Sequence, residues 1–121
     1  MTAPAKALAR LWTDRCSLYI QVKTTDPGTN ITRFSEQPLA EDLPCRLSFK
    51  SLSAARAGPA AAVAQQTVLF LAPQPAIPAG CRIVVRRGGD PARELVFGRS
   101  GLPGIYSHHQ EVPLEPFRGY A

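Results

Sequence analysis

A histidine pair near the C-terminus is the residue combination in this sequence with the most potential for chemistry. His108 and His109 are adjacent, and Glu111 follows two positions after His109. Side chains alternate between the two faces of a strand, so His109 and Glu111 would share one face and His108 would lie on the other. No serine nearby stands in the GxSxG turn of a hydrolase, and the acidic residues are scattered. We therefore expect no catalytic site and no enzyme.

Three cysteines are the remaining candidates for metal or disulfide chemistry, and their spacing disfavours both. Cys16, Cys45 and Cys81 are odd in number, widely separated and without a CxxC pair. The adjacent histidines cannot readily bind one metal from opposite faces of a strand. Each cysteine lies within or beside an apolar run, where a reduced thiol behaves as a small hydrophobic group. We expect three buried, reduced thiols, no metal, no cofactor and an intracellular origin.

Composition indicates one folded domain built from short strands. The chain has 121 residues, 45% of them hydrophobic, with 12 prolines and 9 glycines. Its net charge of +5 is spread evenly, which permits non-specific contact with DNA without requiring it. No segment has about 20 consecutive apolar residues, and the N-terminus lacks the apolar core of a signal peptide. We expect synthesis in the cytoplasm and no membrane partner.

Strand signals dominate from residue 16 onward, and in 16–23 and 43–50 apolar and polar residues alternate with a period of two, which is typical of strands with one buried face. Alternation, short apolar runs and the positions of turns together predict strands at residues 16–23, 31–35, 43–50, 67–71, 81–87, 94–97 and 107–114, with Pro113 marking an edge or an end. Turn-forming residues at 24–30 and 88–91 predict two hairpins. The predicted core comprises Leu18, Ile20, Val22, Leu47, Phe49, Leu69, Ile83, Val85 and Val96.

The predicted fold is all-β: a small β-barrel or sandwich of about six to eight strands, with a long inter-strand loop and short helical pieces. Residues 1–121 form a single domain with an N-terminal arm at 1–14 and a C-terminal tail at 115–121. Trp12, Phe117 and Tyr120 are aromatic groups near the chain ends and are candidate contacts with neighbouring subunits.

The long loop, residues 51–66, is rich in alanine and has few large apolar side chains. Its Gly58-Pro59 pair interrupts any helix across it. Two interpretations are open. The loop is either a plain connection between strands or a functional loop that becomes ordered on assembly.

Four short segments, taken in order, resemble a known family. They are LPCRLSFK at 43–50, VLFLAP at 68–73 after an Ala/Gln-rich stretch, IPAGCRI at 77–83 before a Gly-rich hairpin, and YSHHQEVPL at 106–114. This order is similar to that of the head-closure proteins of long-tailed double-stranded DNA bacteriophages, also called stoppers, minor capsid proteins or head-tail connectors. The resemblance extends over residues 16–114. Cys81 departs from the family, whose members commonly carry Asp or Ser there.

The resemblance implies a structural virion protein of the phage neck, assembled as a homo-oligomeric ring of 6 or 12 copies. Such a ring lies below the portal or adaptor protein and above the tail terminator or tail tube. It helps retain the packaged double-stranded DNA, which it contacts without reading sequence. In this family a long loop faces the central channel, and the loop at 51–66 matches it by position. Lys50 and Arg56 are the corresponding channel- or DNA-facing candidates.

Other functions stay open at this point. A small basic nucleic-acid-binding β-barrel fits the pI of about 9.6. Aromatic residues make up only 7% of the chain, however, and the strands show no aromatic stacking platform. A neighbouring neck component such as the tail terminator is the other alternative, whereas an adaptor is expected to be mostly helical.

Overall fold

The computed structural model describes residues 10–51 and 65–120, and their regular structure is almost entirely β. Seven strands are formed by the described residues: β1 (Asp14–Thr25), β2 (Thr32–Ser51), β3 (Gln65–Leu71), β4 (Arg82–Arg86), β5 (Glu94–Arg99), β6 (Gly104–Ile105) and β7 (Gln110–Pro116). Two short 3-10 turns, Arg87–Gly89 and Pro91–Arg93, join β4 to β5. The prediction of an all-β fold with short helical pieces is confirmed.

The sheet closes on itself. Its strand order is β3-β2-β1-β4-β5-β7, and β7 pairs back onto β3, while the short β6 adds to β7 beside β5. Every pairing is antiparallel. Because side chains alternate across each strand, one set points into the enclosed space and forms the core, and the other set faces outward.

The core is formed by inward-facing residues of β1, β2, β3, β4 and β7, together with Ile77 and Cys81 from the connection before β4. Five predicted core residues are fully or almost fully buried: Leu18, Leu47, Leu69, Ile83 and Val85. The three cysteines are buried as well, which confirms that part of the prediction.

Three of the predicted core residues, Val22, Phe49 and Val96, lie outside the core, and Ile20 lies only at its edge. Ile20 packs partly against the core and Val22 is half-buried, because both lie beyond Tyr19, the last residue of β1 that pairs with β4. Phe49 is 41% exposed and lies under the Arg87 guanidinium. Val96 pairs with Val84 on the outer face.

The face of β5 that packs on the core is instead marked by Phe97, which pairs with the fully buried Ile83. Leu95, Val96 and Phe97 are all apolar, so alternation does not reveal which face is inside.

Two strand predictions also need correction. Residues 31–35 and 43–50 belong to one continuous strand, β2. Pro113 lies inside β7, which has neighbours on both sides. The Pro113 carbonyl accepts a 2.9 Å hydrogen bond from the N–H of Ser100. The N–H and C=O of a strand residue point to the same side, so the donor that proline lacks would face the gap between β5 and β6 rather than β3.

Candidate interaction surfaces

The predicted channel-facing residues lie at the border of the described structure. Lys50 is the last residue but one of β2 and pairs with Gln66 of β3 through its backbone. Arg56 lies outside the described residues, as does most of the loop predicted at 51–66. Their role in a channel stays a prediction.

The aromatic residues of the C-terminal tail pack against their own chain. Phe117 and Tyr120 meet edge to face with ring centroids 5.2 Å apart, and Phe117 lies over Gly98 of β5. Both rings are half-buried, as is Trp12 at the other end. Part of the surface of Phe117 and Tyr120 is therefore already covered within the subunit, and the predicted subunit contacts stay a prediction.

A cluster of polar side chains holds the tail and the β1–β2 hairpin together. The Arg82 guanidinium lies over the Tyr19 ring, 4.7 Å from its centroid, and its Nε donates to Glu36 Oε2 at 2.8 Å. Tyr120 donates its hydroxyl proton to the same Glu36 oxygen at 2.7 Å. These hydrogen bonds from Arg82 and Tyr120 lower the pKa of Glu36. Burial, followed by the bond to Glu36, raises the pKa of Tyr120.

Two buried polar side chains act as internal anchors that the sequence patterns did not reveal. Asp14 is 5% exposed and accepts backbone hydrogen bonds from Leu47 and Gly88. Gln110 is fully buried, and its Nε2 donates to the carbonyls of Ala72 and Pro75 at 2.8 and 2.9 Å. The signal for Gln110 was its place two residues before Val112, on the inward face of β7.

The cysteines are structural thiols in the core. Hydrogen bonding with Cys16, together with burial, raises the pKa of Cys45 far above its ordinary value. Burial raises the pKa of Cys81 to about 11. A nucleophilic or metal-binding cysteine needs its thiolate, so these environments disfavour such chemistry.

The histidine region forms an aromatic stack on the outer surface. His109 lies face to face with Tyr106, with centroids 4.7 Å apart and planes 9° apart, and 6.3 Å from the Phe70 ring. His109 Nε2 is 3.8 Å from Glu111 Oε1, so the two side chains share a face as the sequence predicted. Within residues 10–51 and 65–120, no group of three or more His, Cys, Asp or Glu side chains is arranged to hold a metal.

Beside this stack lies an open groove with a volume of about 340 Å³. We call it the β3–β7 groove; it is lined by Gln66, Val68, Phe70, Gly104, Glu111 and Pro113. These residues face outward, because their neighbours Leu69 and Val112 point into the core. The groove therefore presents the apolar side chains of Val68, Phe70 and Pro113 together with the Glu111 carboxylate and the Gln66 amide.

A two-stranded extension projects from the closed sheet. We call it the β1–β2 arm; it comprises residues 20–25 of β1 paired with residues 32–37 of β2. Its turn is well formed: the Asp26 N–H donates to the Ile31 carbonyl at 2.9 Å, and the Gly28 N–H donates to the Asp26 side chain at 2.8 Å. The hairpin predicted at 24–30 is confirmed.

None of the helical pieces in the described residues is long and apolar enough to cross a membrane.

Comparison with known proteins supports the fold. No protein-family model matches the chain, and no curated protein matches its sequence. The chain is similar in structure to the phage-like element PBSX protein xkdH from Bacillus subtilis. That similarity has a TM-score of 0.50 and 14% sequence identity, and it covers 84% of this chain and 91% of the other. At this identity the likeness establishes a shared all-β fold over most of both chains.

Proposed function

We propose that this protein is a structural component of a long-tailed phage virion, without catalytic activity, that forms a ring in the neck. The ring joins the DNA-filled head to the tail and helps retain the genome. Its partners are further copies of the chain, the portal or adaptor protein above, and the tail terminator or tail tube below. The packaged DNA passes through its channel without sequence readout.

The observation that carries this proposal is the shared fold with a protein of a phage-like element over 84% of the chain. The order of four short sequence segments resembles the head-closure family independently of that comparison. The shape of the subunit fits the role as well. A ring subunit needs unlike surfaces on two of its sides, and the β1–β2 arm and the β3–β7 groove are unlike surfaces.

Inactivation of the gene in the phage or prophage that encodes the protein tests the proposal. We expect DNA packaging to begin normally, followed by loss of DNA from the heads and accumulation of heads and free tails that do not join. A plasmid copy of the wild-type gene should restore infectious particles. Normal tailed and infectious particles without the protein would contradict a neck role.

The predicted loop at 51–66 offers a finer test within the same role. Replacing residues 54–64 with a short Gly/Ser turn separates three outcomes. Particles that assemble and retain DNA normally make the loop a simple connection. Rings that form but leak DNA support channel closure, and loss of the ring makes the loop an assembly element.

A further inference from the structure

The β1–β2 arm is held at its base, where Ile20 packs partly against the core and Glu36 accepts hydrogen bonds from Arg82 and Tyr120, but its outer part has no neighbouring strand among the described residues. Pairing of β1 with β4 ends at Tyr19, and pairing of β2 with β3 begins only at Cys45. Within the described structure, the arm strands are therefore paired only with each other. A two-stranded ribbon on its own is marginally stable in water. The outer part of the arm, residues 21–25 and 32–35, is largely exposed and is therefore available to a partner outside the subunit.

The arm also exposes apolar side chains near its tip. Phe34 is 60% exposed and Ile31 is 50% exposed. Phe34 is paired with Lys23 across the two strands, so the two side chains leave the same face of the arm. Arg33 is also exposed, but as the neighbour of Phe34 along β2 it lies on the opposite face of the arm. One face of the arm therefore presents an exposed aromatic ring beside a lysine.

The β3–β7 groove offers a matching surface. Its walls carry the partly buried Val68, Phe70 and Pro113, which leave an apolar concavity open to solvent. Glu111 lines the same groove, and its side chain remains 37% exposed. An aromatic ring beside a lysine would therefore meet both apolar side chains and an opposite charge in the β3–β7 groove.

The topology prevents one subunit from making this contact with itself. In the closed ring of six strands, β1 is three strands away from β7 in either direction. The arm extends about 20 Å, since each of its six residue pairs adds about 3.3 Å. A contact between two unlike surfaces on different sides of a molecule joins copies head to tail, which is the arrangement that closes a ring.

We propose that the β1–β2 arm of one copy docks in the β3–β7 groove of the next, with Phe34 against Val68 and Phe70 and with Lys23 near Glu111. The inference deepens the proposed neck ring by naming its subunit contact, and its occupant is a second copy of this chain. Each subunit then uses its arm on one side and its groove on the other.

Cysteine cross-linking of the full chain tests the contact directly. The native cysteines are buried, so only introduced thiols should react quickly. The Phe34→Cys and Val68→Cys variants are each prepared alone, mixed, and treated with a short bismaleimide. The mixture should give a product at twice the 13.1 kDa chain mass, and neither variant alone should give it. The matched control pairs Phe34→Cys with Ala92→Cys, an exposed site on the turn after β4, and should give no dimer.

The remaining outcomes each overturn the proposal in a distinct way. Dimers from Phe34→Cys alone would indicate arms that pair with each other. If the mixture gave no product while native mass spectrometry or electron microscopy still showed rings, that result would exclude the contact between the arm and the groove without contradicting the proposed ring. A chain that stays monomeric at high concentration, gives no product, and yet needs Phe34 for particle assembly would identify a different protein as the occupant of the groove or arm.

Charge exchange supplies an independent test in the same assay. Lys23→Glu in one copy and Glu111→Lys in the other should each lower the yield of the cross-linked dimer when paired with an otherwise unchanged partner. Combining the two should restore it, because the opposite charges face each other again. Equal loss in the combined pair would show that Lys23 and Glu111 do not meet.

Discussion

The carboxylate of Asp14 accepts a 2.7 Å hydrogen bond from the backbone N–H of Gly88, 74 residues further along the chain. Its second oxygen accepts the N–H of Leu47 at 2.9 Å, and the Arg87 Nε lies 3.6 Å away. One buried side chain therefore joins the start of β1, the end of β2 and the turn that follows β4. These are points at which a closed sheet would otherwise fray.

Replacing Asp14 with alanine should destabilise the fold. The substitution leaves two backbone N–H groups without their acceptor, and each unsatisfied buried donor costs about 1–3 kcal/mol. We expect a loss of about 2–4 kcal/mol in the free energy of unfolding, measured by urea denaturation. Asp14→Asn, which keeps one acceptor oxygen, should lose less. Glu41→Ala changes an exposed acid of β2 and should stay within about 0.5 kcal/mol of wild type. If Asp14→Ala and Glu41→Ala lowered the free energy of unfolding equally, the hydrogen bonds of Asp14 would not stabilise the fold as described.

Gln110 provides a second test, based on a polar group inside the core. Its Nε2 bonds two backbone carbonyls, while its Oε1 is buried without a hydrogen-bond partner among the described residues. Gln110→Met has a similar volume and removes the unpaired acceptor, but it leaves the two carbonyls unsatisfied. We expect it to cost about 1–3 kcal/mol.

Gln110→Glu should be worse than Gln110→Met at neutral pH, because it places a carboxylate against two carbonyl oxygens. Burial raises the pKa of a carboxyl group. A raised folded-state pKa means that the stability of this variant should be greatest below about pH 4, the unfolded value, and should fall as pH rises. Urea denaturation from pH 4 to pH 8 measures the trend. A Gln110→Glu variant with the same pH profile as wild type would contradict the assigned hydrogen bonds.

The pKa of Cys81, raised to about 11, predicts how stability changes in alkaline solution. In the unfolded chain the thiol ionises from about pH 8.5, whereas the folded chain holds it neutral. The contribution of Cys81 to stability is therefore complete below that value and is lost as pH rises toward 11. Cys81→Ala should flatten this part of the pH profile, although it lowers stability overall by leaving a small cavity. An unchanged slope between pH 8.5 and 10.5 would show that the thiol is not shielded.

Tyr120 should also titrate late, because burial and the bond to Glu36 raise its pKa above the ordinary tyrosine value. Its phenol is neutral in the folded state, so this contribution to stability is present below about pH 10 and is lost above it. Ultraviolet titration at alkaline pH, compared with Tyr120→Phe, isolates its transition. In Glu36→Gln the transition should move to lower pH without returning fully to the ordinary value, since burial remains. If the Tyr120 transition stayed at the same pH in Glu36→Gln, the bond to Glu36 would not be a cause of the raised pKa of Tyr120.

The sequence predicted those parts of the fold that local chemistry determines. The hairpin at the tip of the arm follows from Asp26, Gly28 and Asn30, which stabilise a turn through side-chain bonds and a positive φ at Asn30. Alternation favoured Leu18 and Leu47 as core residues because polar residues lie beside them in the sequence, whereas Leu69 lies in the apolar run 68–71, where alternation gives no such signal. What alternation cannot reveal is the face of a continuous apolar run, which is why Val96 was assigned inward in place of Phe97.

The candidate surfaces were less predictable because they depend on which strands meet. The groove combines β3, β6 and β7, and its neighbouring stack brings Phe70 to His109. No local pattern connects residues separated by more than 30 positions. Asp14 and Gln110 are hidden from sequence analysis for a related reason: a polar side chain is ordinarily expected to face solvent, and only the folded chain supplies the backbone groups that allow its burial.

Two variants should distinguish effects on the stability of the subunit from effects on its assembly. Leu69→Ala removes a fully buried side chain and should cost about 2–5 kcal/mol in the free energy of unfolding. Phe34→Ala removes a mostly exposed ring and should change the stability of the isolated subunit little, while it weakens the association of copies. Urea denaturation and sedimentation velocity measure the two properties. A large stability loss in Phe34→Ala would mean that the ring supports its own subunit.

The central claim is that this chain forms a ring in the phage neck, and cryo-electron microscopy of intact particles tests it most directly. A particle preparation carrying an affinity-labelled copy of the chain should show a closed ring of seven-stranded subunits between the head vertex and the tail, with the label on that ring. An intact neck without the label, or the label elsewhere on the particle, would contradict the account.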